Sequence, residues 1–298
     1  MRIGLLLNEP EGTDVLGRLR GRIARAADDG FSSAWMSNVF GLDALTALAV
    51  AGSQVPGIEL GTAVVPTYPR HPAALAQQAL TANAALDGRL ALGVGLSHQI
   101  VIEGMYGYGF DRPARHMREY LSVLVPLVRG EQVAFEGETL KARLGLTTPG
   151  AGGMPVLVAA LGPRMLKLAG ELADGTVLWM TGPKTVAEHV APAVTEAARA
   201  AGRPAPRIVC ALPVCVTDDV EAARARAAEV FEVYGRLPSY RAMLDREGAE
   251  SPADVAVVGD EDAVSAQIES LAKAGVTDFV AAEYASDRRT REFLRTLR

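Results

Sequence analysis

Cysteine is scarce in this chain, which has only two cysteines among its 298 residues. Cys210 and Cys215 both fall in an apolar run that is typical of a buried strand. Their odd spacing directs the two side chains to opposite faces of such a strand. Because a disulfide or a shared metal ion needs the two thiols close together, we expect two buried free thiols.

Long apolar segments and basic clusters are also missing from the sequence. The first apolar run ends at Asn8 and is too short for the core of a signal peptide or for a membrane span. No later segment offers ~18 uninterrupted apolar residues. The 30 basic and 35 acidic residues are scattered and give a net charge of −5, without a stripe that suits a polyanion. We therefore expect a soluble, cytoplasmic protein that binds neither nucleic acid nor a membrane.

Three common catalytic signatures do not occur. There is no Gly-x-Ser-x-Gly elbow, which disfavours a serine hydrolase. The segment Gly93–His98 begins like a dinucleotide-binding fingerprint, but it lacks the third glycine and follows three earlier strand–helix units. No dense group of acidic residues and histidines follows the predicted strands, so we expect no metal site. Of the four histidines only His98 follows a strand, and we interpret the others as solvated or structural: His71, His116 and His189.

What the chain does contain is a regular alternation of short apolar runs and amphipathic helical patterns. Several runs are continuous and rich in β-branched residues, as parallel strands covered on both faces should be. Helical stripes are clearest at Pro113–Arg129, Pro183–Ala201 and Glu261–Ala274. Eight such units without a linker favour a (β/α)8 barrel that forms one domain over residues 1–298. The predicted strands are Arg2–Leu7, Ser33–Ser37, Ile58–Val65, Leu90–Val94, Pro155–Ala160, Thr176–Met180, Ile208–Val216 and Asp278–Ala282.

Two segments are longer than a barrel of this kind requires. Gln132–Arg143 has the pattern of a β-hairpin around Gly137. Gly235–Val255 reads as an insertion with a helix near Ser239–Glu247. Because insertions in such barrels often lie over the mouth, we expect the second segment to cover it.

The strongest anion site in the sequence is Ala160–Met165, where a predicted strand ends. Gly162 can cap the next helix, Pro163 suits its first turn, and the N–H groups of the next two residues then point outward. A helix N-terminus with an adjacent arginine, Arg164, suits a phosphate group. An ordinary strand–helix turn marked by Gly-Pro is the alternative.

Four motifs occur in a specific order along nearly the whole chain: Leu60–Pro72, Leu86–Gly95, the trio Arg112, Arg115 and Glu119, and Ala160–Gly175 with its Gly-Glu-Leu-Ala-Asp-Gly ending. With these motifs the chain resembles the luciferase-like flavin and deazaflavin oxidoreductase family, and within it the actinobacterial branch of coenzyme F420-dependent enzymes. The resemblance implies a bacterial luciferase-like TIM barrel, coenzyme F420 as cofactor with FMN as the alternative, and a homodimer. The helix Asp43–Ala51, which is almost without charge, could supply the dimer interface.

The resemblance also implies where the cofactor lies. The family has a bulge with a non-proline cis peptide in its third strand, which by position is Ala63–Val64 here, and this bond would support the middle of the deazaflavin ring. Gly95 and Ser97 would lie beside the ring. The phosphate contacts would come from the helix start after strand five, Gly162–Met165, and from the end of strand six, Trp179–Thr181. The implied cofactor-binding residues are Asn38, Ala63, Val64, Val65, Gly95, Ser97, Leu161, Gly162, Pro163, Arg164, Met165, Trp179, Met180 and Thr181.

One departure from the family bears on the reaction. Dehydrogenases of the family carry an Asp-His pair after the second strand, whereas this chain reads Asn38-Val39. The missing histidine base favours a reductase, which transfers hydride from C5 of the reduced deazaflavin to an activated C=C or C=N bond of a small organic molecule. The alternatives are an FMN-dependent luciferase-like monooxygenase and a cofactor-binding homologue without activity.

His98 is the best candidate for the proton donor, because imidazole titrates near neutral pH. Tyr106 and Glu103, in the loop that follows, are weaker candidates. We expect Asn8, Phe40 and Tyr106 to contact the substrate, and the glycine-rich loop Gly104–Gly109 to act as a mobile cover.

Overall fold

Residues 1–148, 153–285 and 288–297 are described by the computed structural model of the chain. Twelve strands occur in this part of the chain. They are β1 (Arg2–Leu7), β2 (Ser33–Met36), β3 (Glu59–Thr62), β4 (Val65–Pro66), β5 (Leu90–Gly95), β6 (Val133–Glu136), β7 (Lys141–Leu144), β8 (Val156–Ala159), β9 (Gly175–Trp179), β10 (Arg207–Val216), β11 (Val257–Gly259) and β12 (Asp278–Glu283).

Eight of these strands form a closed parallel barrel, in the order β1, β2, β3, β5, β8, β9, β10, β12 and back to β1. All eight predicted strands correspond to these, so the (β/α)8 fold is confirmed. The third predicted strand is divided into β3 and β4, because Ala63 and Val64 leave the regular ladder. Closure explains why the strands read as continuous apolar runs, since each one faces packed side chains on both sides.

The helices surround the barrel and mostly follow the strands. They are α1 (Val15–Asp28), α2 (Ala44–Gly52), α3 (Pro72–Ala85), α4 (Gln99–Gly104), α5 (Pro113–Val128), α6 (Pro163–Leu172), α7 (Pro183–Thr185), α8 (Ala191–Ala200), α9 (Val220–Val230), α10 (Glu232–Arg236), α11 (Pro238–Glu247), α12 (Glu261–Lys273) and α13 (Arg288–Leu294). The predicted helix Pro183–Ala201 is interrupted by a π-helical turn at Val186–Val190. Short 3-10 turns occur at Pro252–Val255 and Arg295–Leu297.

The inside of the barrel is filled by a layer of apolar side chains, with a larger apolar layer between the strands and the helices. Trp35 is fully buried in the inner layer and donates a hydrogen bond from its indole to the hydroxyl of Ser33 (2.9 Å). Gly61 provides room for this ring, because a Cβ there would lie 2.2 Å from it. The barrel is therefore a packed core, and a binding site must lie at one of its ends.

Buried charges occupy the end of the barrel where the strands begin. Arg207 pairs with Asp278 (2.7 Å) and with Glu59 (2.9 Å), and Arg2 pairs with the same two carboxylates. Asp278 is almost fully buried, with 2% of its surface exposed. These contacts join the first, third, seventh and eighth barrel strands, and such an arrangement at the N-terminal end serves stability.

The predicted hairpin is present as β6 and β7, which pair in antiparallel fashion. Its turn is held by Glu119 of α5, whose carboxylate accepts hydrogen bonds from the N–H groups of Glu138 and Thr139, each at 2.9 Å. Gly137 allows this close contact, since a Cβ there would lie 2.5 Å from the Glu119 carboxyl carbon. The acidic residue thus joins the hairpin to the barrel.

The insertion is larger than the sequence suggested, because it runs from the end of β10 to the start of α12. It contains α9, α10, α11 and β11, and it has an apolar cluster of its own that includes Cys215. Cys210 packs in the layer between barrel and helices instead, so the two thiols lie in different clusters. Both thiols are buried and neither forms a disulfide, as expected.

Candidate functional site

The candidate site lies at the barrel end where the strands finish, which we call the mouth. The peptide bond between Ala63 and Val64 is cis, so the predicted geometry of the third strand is confirmed. Two glycines of β5 make room for it. A Cβ on Gly93 would lie 2.0 Å from the carbonyl oxygen of Thr62, and one on Gly95 would lie 2.5 Å from a methyl carbon of Val64.

Two residues that follow strands have a left-handed backbone without being glycine. They are Ser97, with φ of 62°, after β5, and Met180, with φ of 52°, after β9. Side chains other than glycine rarely adopt this conformation, and such residues cluster at functional sites. Both belong to the set expected at the cofactor.

His98 is half-buried at the start of α4, after the fourth barrel strand. Burial lowers the pKa of its imidazole from the usual 6.5. Its ring lies 5.6 Å from that of Tyr240, measured between centroids. Because Tyr240 belongs to α11, this contact brings the insertion across to the fourth strand. The insertion therefore covers the mouth beside His98, as expected for this part of the mouth.

Trp179 ends the sixth barrel strand and contacts two aromatic rings of the insertion. The centroids of Phe231 and Tyr234 each lie 5.7 Å from it, in edge-to-face geometry. Tyr234 in turn lies 5.2 Å from Tyr240. The side chains of Met180 and Thr181 are fully buried, so Trp179 is the most open of these three predicted cofactor residues.

The predicted anion site has the expected helix geometry. Gly162 is the N-cap of α6, Pro163 occupies its first turn, and no side chain of the described residues caps the helix. Arg164 is exposed, and a Cβ on Gly162 would meet nothing within 4 Å. The carbonyl oxygen of Leu161 lies 2.8 Å from Nε2 of His189, which comes from the π-helical turn. The first turn of α6 therefore has free N–H groups and open space in front of them.

The loop after the second strand is shaped by Asn38. Its side-chain oxygen accepts a hydrogen bond from the N–H of Ala44 at the start of α2 (3.0 Å), which leaves the amide NH₂ as a donor. Phe40, in the same loop, exposes 62% of its surface. Asn8 lies at the end of β1, where its amide is 3.5 Å from the carbonyl oxygen of Glu283.

The segment after the fourth strand carries Tyr106, which exposes 41% of its surface, and Tyr108. Beside it lies an aromatic stack that the sequence did not predict: the rings of Tyr68 and His116 are 3.9 Å apart and nearly parallel. Nε2 of His116 hydrogen-bonds to the hydroxyl of Thr67 (2.9 Å). His116 is thus structural, in agreement with its interpretation from sequence.

Several residues of the mouth could not be found by sequence reasoning, because their contacts span long distances along the chain. Tyr234 and Tyr240 belong to this group, and so does Glu247, whose carboxylate accepts hydrogen bonds from the N–H groups of Lys184 (3.1 Å) and Thr185 (2.7 Å) at the start of α7. The only signal was the position of these residues in an insertion expected at the mouth.

The described residues lack two further features. They contain no group of three or more histidine, cysteine or acidic side chains that could hold a metal ion. None of their helices has both the length and the apolar character needed to cross a bilayer.

Comparison with known proteins identifies the family. A family model described as luciferase-like monooxygenase matches residues 1–278. The chain belongs to this family. Among curated proteins, this family member is 29% identical over 236 residues to 5,10-methylenetetrahydromethanopterin reductase of Methanolobus tindarius, covering 78% of this chain and 72% of that protein.

Solved structures support the fold assignment of this luciferase-like protein. The coenzyme F420-dependent tetrahydromethanopterin reductase of Methanopyrus kandleri superposes with a TM-score of 0.83 at 23% identity, covering 99% of this chain and 96% of that one. The oxygenating constituent of 3,6-diketocamphane monooxygenase of Pseudomonas putida, solved with FMN, superposes with a TM-score of 0.76 at 19% identity, covering 100% and 96%. At these identities the likeness concerns the fold.

Proposed function

We propose that this luciferase-like protein is a coenzyme F420-dependent oxidoreductase that acts as a reductase on an activated C=C or C=N bond. The observation that carries the proposal is the presence of two elements at the same barrel end: the bulge at Ala63–Val64 and the uncapped first turn of α6. The bulge suits a flat ring, and the helix start suits a phosphate-bearing tail. The reductases among its relatives support the choice of cofactor and reaction.

The residues of the mouth fit such a cofactor. Gly162 and Arg164 would hold the phosphate, because free N–H groups and a guanidinium are its usual partners. Ala63 and Val64 would support the ring, with Gly95 and Ser97 beside it. The amide NH₂ of Asn38 is available to donate to a carbonyl oxygen of the ring or of the substrate.

The reaction adds a hydride and a proton across the double bond. When bound and reduced, the deazaflavin supplies the hydride, which carries two electrons and forms the new bond to one carbon. The other atom of the double bond receives a proton together with the former π electron pair. We assign the proton to His98 because of its place, half-buried at the mouth after the fourth barrel strand. The residues around His98 exclude water and hold the deazaflavin ring and the double bond of the substrate face to face.

Cofactor titration tests this proposal. We expect the purified protein to quench the fluorescence of coenzyme F420 on binding, and to bind it more tightly than FMN. Arg164→Gln should weaken F420 binding by roughly tenfold, since a hydrogen bond to a charged group contributes about 1.5–3 kcal/mol. The variant should leave the affinity for the same deazaflavin without its phosphate tail unchanged.

Lys167→Gln is the matched control, because Lys167 is exposed one turn further along α6 and pairs with Glu171. We expect it to bind F420 like the unchanged protein. Tight binding of FMN with consumption of oxygen would contradict the reductase and support a monooxygenase. Binding of F420 without hydride transfer to any acceptor would support a homologue without activity.

We also propose that residues 1–298 act as one domain and that the protein forms a homodimer through α2. Apart from Thr46, the eight other residues of this helix are apolar or small, and none of its residues is charged. Its Val50 exposes 50% of its surface, and a partner would cover such a side chain. Light scattering of the purified protein measures the mass directly, and a monomer would contradict the proposal.

A further inference from the structure

Exposed apolar side chains are concentrated around the mouth. Of the 11 large hydrophobic side chains exposed in the described part of the chain, six lie in two short segments, after β2 and after β5. Because β2 and β5 lie on either side of β3 in the barrel, these segments flank the bulge at Ala63–Val64. We call them the apolar rim, which consists of Val39, Phe40, Ile100, Met105, Tyr106 and Tyr108.

Aromatic rings extend this apolar character over the mouth. The rings of His98, Tyr240, Tyr234 and Trp179 follow one another at centroid distances of 5.6, 5.2 and 5.7 Å, from the fourth strand to the sixth. We call these four residues the aromatic roof. Burial raises the pKa of Tyr240 and of Tyr234, so both phenols stay uncharged. Trp179, Tyr234 and Tyr240 meet edge to face and His98 meets Tyr240 at a tilt, so this side of the mouth is built from aromatic rings.

Three arginines on the segments around the mouth pair with carboxylates. Arg70 pairs with Asp43, Arg236 with Glu232, and Arg291 with Glu283. Arg164 is the arginine proposed to bind the cofactor phosphate. To bind one of these three arginines, a carboxylate or phosphate on the substrate would have to displace its present partner, whereas an uncharged substrate leaves the pairs intact.

From the apolar rim, the aromatic roof and the paired arginines we infer that the acceptor is an uncharged molecule with a flat, mainly apolar body attached to its activated double bond. This inference rests on the proposed reductase function. In the implied reaction, reduced deazaflavin supplies the two electrons as hydride. The hydride goes to the β-carbon, a proton goes to the α-carbon, and the C=C bond becomes a single bond.

A binding experiment tests the inference without turnover. The chain has two tryptophans, and Trp35 is fully buried inside the barrel, so a ligand at the mouth changes the fluorescence of Trp179. We expect 4-phenylcyclohex-2-enone to change the emission in a saturable way, and 4-carboxycyclohex-2-enone to have no effect. The change should be lost in Trp179→Phe. Equal binding of the carboxylate, or no saturable change with the phenyl compound, would overturn the inference.

Steady-state kinetics with reduced F420 give the second test. We expect KM to fall by about threefold to fourfold for each methylene added between cyclohex-2-enone and its 4-butyl derivative, as burial of apolar surface requires. Phe40→Ser should raise KM for the butyl compound roughly tenfold more than for cyclohex-2-enone, with kcat for the butyl compound changed less than KM.

Val50→Ser is the control for loss of an apolar side chain away from the mouth, since Val50 lies in the last turn of α2 and exposes 50% of its surface in the single chain. Because the proposed dimer would cover Val50, the comparison uses the variant in the same oligomeric state as the unchanged protein. Its mass should be checked by light scattering to show that the oligomeric state is unchanged. A KM that is independent of apolar size would overturn the inference while the reductase function stands. If no acceptor is reduced although F420 binds, the proposed function fails, and the Trp179 titration still decides whether the mouth takes an apolar ligand.

Discussion

At the scale of single residues, His116 is a histidine whose surroundings favour its uncharged form. Burial lowers the pKa of its imidazole to about 4, and the nearby Glu119 only partly offsets this. The ring is stacked on Tyr68 and hydrogen-bonded to the hydroxyl of Thr67.

Because of the lowered pKa of His116, we expect the protein to lose stability in acid. The unfolded chain binds a proton at His116 below pH 6.5, whereas the folded protein binds it only near pH 4, so the free energy of unfolding falls as the pH falls through this window. We expect roughly 1–3 kcal/mol from this group, after allowance for solvent screening. Urea unfolding at pH 7 and pH 4.5 measures it. His116→Phe keeps the stack and should show a smaller loss, and a loss equal to that of the unchanged protein would contradict the assignment.

At the scale of elements, the barrel strands were predictable and the insertion was only partly so. A strand such as Leu90–Gly95 is visible in the sequence because its burial on both faces produces a local apolar run. Phe231 and Tyr234 give no such signal, because their partner Trp179 is distant in the sequence. The insertion therefore was expected at Gly235–Val255, whereas it begins already at the end of β10.

The same limit applies to the candidate site. The helix start at Gly162 could be predicted from its short Gly-Pro motif, and the position of the bulge was implied by the family resemblance. The contact between His98 and Tyr240 could not, because it joins residues of two loops that only the folded barrel brings together. Nor could the burial of Thr181, whose hydroxyl donates to the carbonyl oxygen of Trp179.

Glu247 attaches α11 to the start of α7. Its carboxylate accepts two hydrogen bonds from backbone N–H groups at the start of α7. Glu247→Ala leaves both donors without this acceptor, and loss of such a cap costs about 1–2 kcal/mol. Because the contact is local, we expect faster hydrogen exchange in α11 and the neighbouring turn, with little change in the barrel strands.

Asp245→Ala is the matched control for this experiment. Asp245 lies on the same helix, is exposed, and pairs only with Arg241, four residues before it. We expect nearly unchanged exchange in this variant, since exposed pairs of this spacing contribute little. Equal exchange in α11 for Glu247→Ala and Asp245→Ala would show that the cap does not hold the insertion.

At the scale of the whole molecule, the two ends of the barrel have separate tasks. The end where strands begin is closed by Arg207, Glu59 and Asp278, which lie far from the mouth along the strand direction. The mouth carries the left-handed residues, the bulge and the apolar rim. In barrels of this kind a change at the first end alters stability, and a change at the second alters function.

Arg207→Met tests this separation. The substitution leaves the almost fully buried Asp278 and the half-buried Glu59 with Arg2 as their remaining partner. Breaking a buried pair by removing one partner costs about 3–5 kcal/mol, and because Arg2 still pairs, we expect the free energy of unfolding to fall by roughly 2–4 kcal/mol. Affinity for F420 should stay the same, because the mouth is unchanged. Arg199→Met, which removes an exposed pair with Glu196, should leave both quantities unchanged. A weakened affinity in folded Arg207→Met would mean that the two ends of the barrel are coupled.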